Sequence, residues 1–312
     1  MRSCILLVLV SSTLACSQPA AVLVIETLSG SGYVLDERLE RRSDVASAPS
    51  DALGTQFFRA GFSRIGTARF GYDPELGVLT KAVLERSPGA TTTFELPTGT
   101  ADCRCAESEC VCVRYDALAD SSVLFELNLD GQPEELLRLP GFNSYRLWAF
   151  ELGWLINHRS VNEFLFVERN GGKWSTRTLP PTLSVALDAR GRLWSGDVGL
   201  LHRFDMRTGA TEDVAFDGRS EVAGSTWDGS WVLVNQVRGR QISWLLYDGR
   251  SGVLRRSYER DGNSLPRATE LCSSRGQLFA FAGSSLSVLG ESGLSTVDYL
   301  DTLGGSLAIG CR

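Results

Sequence analysis

The chain has 312 residues, is 43% hydrophobic and carries a formal net charge of -6 with a pI near 5.2. That length can bury a large core, as one big domain or two smaller ones. The 31 Lys and Arg residues are scattered, so the basic footprint that grips a phosphate backbone is missing and no nucleic-acid partner is expected. Thirty-two Gly against ten Pro, with seven Trp and no long run at helical spacing, favour short strands joined by many turns.

The chain opens on Arg2, a minimal positive region, followed by the apolar run Ile5-Leu-Leu-Val-Leu-Val10 and then Ser11-Ser-Thr-Leu-Ala15-Cys16. This run is too short to span a bilayer and has the flanks of an export signal. It resembles a bacterial lipoprotein signal, in which the Cys after the cleaved bond is lipidated. It departs from that pattern at Thr13-Leu14, where the family prefers Leu and then a small residue. The resemblance implies a signal peptide over residues 1–15, a lipidated Cys16 with a short tether over 16–20, and a folded domain over 21–312. Removing Cys4 with the leader and Cys16 as the anchor leaves an even number of the eight Cys free to pair. The implied location is the bacterial cell envelope, outside the membrane and held to it by the lipid; secretion is the alternative.

Past the leader, residues 183–214 read as four short strands joined by three tight turns. The run Asp205-Met-Arg-Thr-Gly209 marks the last turn, and similar turns carry Gly77, Gly131, Gly172, Gly252 and Gly293. In chain order these glycines lie 54, 41, 37, 43 and 41 residues apart, with the Cys-rich segment read as an insertion in the long first interval. The first hairpin repeats too: Asp188-Ala-Arg-Gly-Arg-Leu-Trp194 has counterparts starting at Glu151, Asp228 and Cys272, each with a Gly turn and then an aromatic strand. Asp and Gly make the tight turn, and the aromatic packs on the next unit. A period near forty with four strands per unit is the signature of propeller blades.

Asp188-x-x-Gly191-x-Leu193-Trp194-x-Gly196, continued through Phe204-Asp205 and Thr208-Gly209, resembles the repeat of NHL-like and sensor-type β-propellers. The resemblance implies an all-β propeller of four-stranded antiparallel blades and no particular activity. The stretch from Gly305 to Cys311 reads as a first strand with nothing after it, whereas residues 21–27 and 32–36 read as strands with no first strand before them. Joining the two ends in one blade would remove the free sheet edges and give seven blades; six blades with an N-terminal extension is the alternative. Residues 43–54 read as a linker.

The symmetrical run Cys103-Arg-Cys105-Ala-Glu-Ser-Glu-Cys110-Val-Cys112 fits a hairpin that sets Cys103 opposite Cys112 and Cys105 opposite Cys110. Two disulfides are expected there in an oxidising compartment; a four-thiolate zinc site is the alternative. Cys272 and Cys311, one period apart, are expected to pair and tie the last segment into the ring.

Glu151, Asp188 and Asp228 recur at one phase of the repeat. They are expected to be turn residues; in the alternative they ring the channel mouth, bind calcium or zinc, or supply a general base. The two histidines, His158 and His202, cannot make a three-histidine site. No Gly-rich phosphate loop, Gly-x-Ser-x-Gly elbow or HExxH occurs. All seven Trp lie between residues 148 and 244, where they serve packing between blades or a platform for sugar or peptide. The expected function is a lipid-anchored binding module for a protein, small-molecule or sugar ligand, with no cofactor. The alternative is a metal-dependent propeller enzyme resembling sugar-lactone hydrolases or lyases.

Overall fold

The computed structural model describes residues 22–298 apart from short internal stretches, the longest being 48–55, together with residues 307–311. The signal-like leader, Cys16 and the tether lie outside the described residues. Every extended element among the described residues is a β-strand; successive side chains point to opposite faces, and runs such as 67–71 and 121–125 are buried on both. The chain opens with β1 (Val22–Glu26), β2 (Gly32–Leu35) and β3 (Arg41–Val45), so the first residues of the expected linker are strand. A second group is β4 (Gln56–Ser63), β5 (Gly66–Asp73), β6 (Val78–Glu85) and β7 (Thr91–Glu95). A third is β8 (Thr100–Ala106), β9 (Glu109–Asp116), β10 (Ser121–Leu127) and β11 (Pro133–Pro140). A fourth is β12 (Ser144–Phe150), β13 (Gly153–His158), β14 (Phe164–Asn170) and β15 (Lys173–Leu179).

Residues 186–225 supply β16 (Ala186–Leu187), β17 (Arg192–Gly196), β18 (Val198–Asp205) and β19 (Thr211–Ser225). Then come β20 (Trp231–Arg238), β21 (Gln241–Asp248) and β22 (Leu254–Tyr258). The last strands are β23 (Glu270–Ser274), β24 (Gln277–Ala282), β25 (Ser285–Leu289), β26 (Leu294–Asp298) and β27 (Leu307–Cys311).

These strands form antiparallel sheets arranged as a β-propeller. Five are separate four-stranded sheets, and one sheet has seven strands in the order β16 to β22. Five separate blades is fewer than the six or seven expected. The physical reason is β19, which is 15 residues long. Its first part pairs with β18, from Thr211 opposite Phe204 to Ala215 opposite Leu200, and its second part pairs with β20, from Arg219 opposite Val237 onward. The chain therefore passes from one group of strands to the next without leaving the sheet.

The two chain ends meet. β27 pairs with β1 antiparallel, Val22 opposite Cys311 and Glu26 opposite Leu307, giving a closing sheet ordered β27-β1-β2-β3. A free β1 would present unpaired N–H and C=O groups; here the last strand covers them.

The core lies between sheets. Leu23, Phe57 and Val83 pack the closing sheet on the second sheet, and Phe70 and Leu84 pack the second on Cys103, Cys112 and Phe125 of the third. Val111 and Leu124 meet Leu147 and Ile156; Phe166 and Leu179 meet Leu187 and Met206. Trp194 and Leu201 meet Val234 and Tyr247; Trp244 and Leu246 meet Leu271 and Ala280; Phe279 and Leu286 return to Val22 and Val24. Each fully buried aliphatic or aromatic side chain contributes about 1.5–3 kcal/mol by leaving water.

The repeat phasing needs one correction. Gly209, Gly252 and Gly293 lie between the third and fourth strands of their groups, but Gly77 lies between β5 and β6, the second and third. The equivalent glycine is Gly89, between β6 and β7, whose N–H is accepted by Glu85 Oε1 at 3.0 Å. From Gly89 to residue 131 the interval is 42 residues, and the irregular spacing disappears. The Cys-rich segment is thus no insertion; it is the first hairpin of the third sheet, β8–β9.

Candidate functional site

Three first-hairpin turns of the repeat come together on one face of the propeller. Glu151 and Leu152 lie between β12 and β13, Ala189 and Arg190 between β16 and β17, and Asp228 between β19 and β20. With Arg250, from the turn between β21 and β22, they line a cavity of about 640 Å³. Backbone bonds between turns hold them: Glu151 N–H donates to Trp227 O at 3.0 Å, Ala189 N–H to Gly229 O at 2.9 Å, and Gly249 N–H to Ser230 O at 2.7 Å. Gly229 permits this closeness. Its φ is +64°, and a Cβ there would lie 2.4 Å from Ala189 N and 2.5 Å from Asp188 C, against backbone that cannot yield.

The three recurring acids have different fates. Asp188 is buried, with 1% of its surface exposed. Its carboxylate accepts from Arg190 N at 2.9 Å, Arg192 N at 3.0 Å, Arg192 Nε at 2.7 Å and Trp194 Nε1 at 2.8 Å. Every strong acceptor position is therefore occupied by its own hairpin, and Asp188 builds the turn instead of facing the cavity. Asp228 faces the cavity while accepting from Thr226 Oγ1 at 2.7 Å and from Ser230 N–H at 3.0 Å. Partial burial works to raise its pKa, but the bonds from Ser230 and Thr226 prevail and hold it below the usual carboxylate range. Glu151 is exposed at the rim. The structure thus brings Glu151 and Asp228 into one pocket and keeps Asp188 out.

The charges opposite them are Arg190 and Arg250, both exposed, which sequence reasoning missed because each is an ordinary turn residue. No ion pair engages either guanidinium among the described residues. The pocket can therefore offer planar, multiply donating cations and carboxylate acceptors together, which suits a polar ligand bearing both kinds of group. Among the described residues no three His, Cys, Asp or Glu side chains converge in a way that could hold a metal ion.

The remaining candidates fall elsewhere. Cys103 bonds Cys112 and Cys105 bonds Cys110, so these sulfurs form cystines in place of a four-thiolate set. Cys272 is disulfide-bonded; the Cys311 side chain expected to meet it lies outside the described residues. His202 Nδ1 lies 2.7 Å from Asp213 Oδ1 across the β18–β19 pair, away from the pocket. The His158 side chain lies outside the described residues. None of the seven Trp is exposed, which removes the open aromatic platform. Trp194, fully buried, packs edge-on against Tyr247 at 5.3 Å and beneath the Arg203 guanidinium at 4.3 Å. Among the described residues no helix is long and apolar enough to cross a membrane.

No protein-family model and no curated protein matches this chain. Solved structures do. A functionally unknown protein from Desulfotomaculum acetoxidans is similar over 94% of this chain and 99% of its own, at 14% identity and a TM-score of 0.59. Apo AztD from Citrobacter koseri is similar over 94% and 98%, at 10% identity and a TM-score of 0.58. The β-propeller domain of the Trilobed protease from Pyrococcus furiosus, described as having an open velcro topology, is similar over 78% and 85%, at 11% identity and a TM-score of 0.54. At these identities the likeness establishes the β-propeller fold alone.

Proposed function

We propose that the protein is a lipid-anchored, extracytoplasmic β-propeller that binds a polar ligand in the pocket formed by Glu151, Arg190, Asp228 and Arg250. The observation that carries this reading is that two arginines with no ion pair among the described residues line a cavity of about 640 Å³ together with two carboxylates. Such a cavity lies within the usual size range of ligand pockets. A sugar acid or a short peptide has the matching mixture of hydroxyl, carboxylate and amine groups. The two cystines fit an oxidising compartment, and the export-signal resemblance supplies the route and the anchor at Cys16.

The same reading takes the seven-stranded sheet as two blades sharing β19, for a total of seven. It is supported by the succession of hydrophobic clusters around the ring, one for each junction between seven four-stranded groups. Cys311 is the proposed partner of Cys272, because β27 lies beside β23.

The binding reading is tested on arrays of envelope-type glycans and short peptides with the purified domain. Wild-type protein should retain a restricted set of probes, and Arg190→Ala with Arg250→Ala should lose them by at least about tenfold in affinity. Equal retention by the double variant would overturn the pocket assignment.

A further inference from the structure

A second charged constellation lies on the propeller axis, on residues separate from the face pocket. The first strands of successive groups stand beside one another there: β27 by β4, β4 by β8, β8 by β12, β19 by β23, and β23 by β27. From β4 comes Arg59, whose Nε donates to Asp102 Oδ1 of β8 at 2.8 Å. From β8 comes Arg104, whose Nη1 donates to Glu270 Oε1 of β23 at 2.9 Å and whose Nε donates to Leu147 O of β12 at 3.3 Å. The sheets of β8 and β23 are not neighbours, because the closing and second sheets stand between them on the ring. The Arg104–Glu270 bond therefore spans the axis.

Arg146, one residue before Leu147, adds a third guanidinium. The neighbouring Leu147 N–H donates to Asp102 Oδ2 at 3.1 Å, which places Arg146 beside the same cluster. Arg146 makes no ion pair among the described residues; its guanidinium lies 5.1 Å from the Trp148 ring centroid. Among the described residues, the carboxylates nearest these three arginines are Asp102 and Glu270, and Arg59 has a further partner besides Asp102. Asp102 is already spent on Arg59, on Leu147 N–H and on its own strand through Cys103 N–H at 3.0 Å. Burial first, then the charges of Arg59 and Arg104, pull Arg146 below its ordinary pKa, against the smaller opposing pull of Asp102 and Glu270.

We propose that this axial cluster holds a second ligand site, for a small oxyanion presenting a carboxylate or a phosphate, with Arg146 as its principal donor beside Arg59 and Arg104. A guanidinium already over an aromatic face is poised for such a group, since its planar fork matches two oxygens at once. Binding would supply a counter-charge to Arg146, which stands against the like charges of Arg59 and Arg104. The site does not depend on what the face pocket binds.

The test is calorimetric titration of the purified domain with sodium phosphate and with sodium succinate, each at constant ionic strength against sodium chloride. Wild-type protein should bind at least one of the two probes. Arg146→Ala should weaken that binding about tenfold or more, and Arg146→Lys should fall between. Arg255→Ala, which removes an exposed arginine paired with Asp248, should leave binding unchanged. A response to phosphate alone assigns a phosphate-bearing ligand, and a response to succinate alone a carboxylate. Without ligand, Arg146→Ala should melt no lower than wild type, since it removes a repelled charge. Absence of binding by both probes, undiminished binding by Arg146→Ala, or a marked fall in its ligand-free melting temperature would each overturn the proposal.

Discussion

Asp188 is the turn residue that its place in the repeat leads one to expect. Its carboxylate is consumed by two backbone N–H groups, Arg192 and the indole of Trp194, which leaves nothing for the alternative role in metal binding or catalysis. Asp188→Ala would leave the Trp194 N–H buried without its acceptor and take from the part-buried Arg192 its nearest carboxylate. Denaturant unfolding should show a loss of about 3–5 kcal/mol, whereas Glu151→Ala at the exposed rim should stay within about 0.5 kcal/mol of wild type. The turn aspartates also set the response to acid. Backbone N–H groups of Ala119, Thr208 and Ser251 hold Asp116, Asp205 and Asp248 below the usual carboxylate range, and Asp228 is held low as well. A depressed folded-state pKa gives stability that is complete above the unfolded value and lost as pH falls through the folded one. Melting temperature should therefore be flat around neutrality and decline below about pH 4. A decline already complete at pH 6 would contradict this assignment.

Among the elements, the first hairpins were the most legible, because an acid, a Gly turn and an aromatic strand sit within seven or eight residues and act locally. The β8–β9 hairpin was legible for the same reason: its palindromic cysteines dictate their own register, and Cys103 stands opposite Cys112 as expected. Its place in the blade was misread, since the Asp73–Gly77 turn mimics the marker of the repeat while the true equivalent uses Glu85. That glutamate also pairs with the fully buried Arg69 at 3.3 Å, a demand from the neighbouring strand that no local pattern reveals. β19 was read as ending near Val214, yet it continues to Ser225 because its two parts find partners in β18 and β20. The axial cluster was illegible for a stronger reason: Arg104 and Glu270 stand 166 residues apart. Replacing Cys103 and Cys112 together by Ser should cost about 2–4 kcal/mol by unfolding under non-reducing conditions. Gly229→Ala should disturb the pocket itself, raising hydrogen exchange in the turns around Ala189 and Gly229 while distant sheets keep their protection.

At the scale of the whole molecule, the ends of the chain close the ring, and the repeat acids turn inward to their own hairpins or outward to a pocket. Removing residues 307–312 should expose the β1 edge and replace a single cooperative transition with an aggregation-prone one. Replacing Cys16 with Ala should shift the protein from the membrane to the soluble fraction, as the proposed anchor requires. In the function proposed above, the acids of the repeat serve turns and ligand recognition instead of a metal-assisted catalytic centre. Equilibrium dialysis of purified protein against calcium or zinc, followed by elemental analysis of wild type, Asp188→Ala and Asp228→Ala, tests it most directly. No tightly held stoichiometric ion is expected in any of the three. One ion per chain in the wild type, lost when either aspartate is replaced, would contradict it.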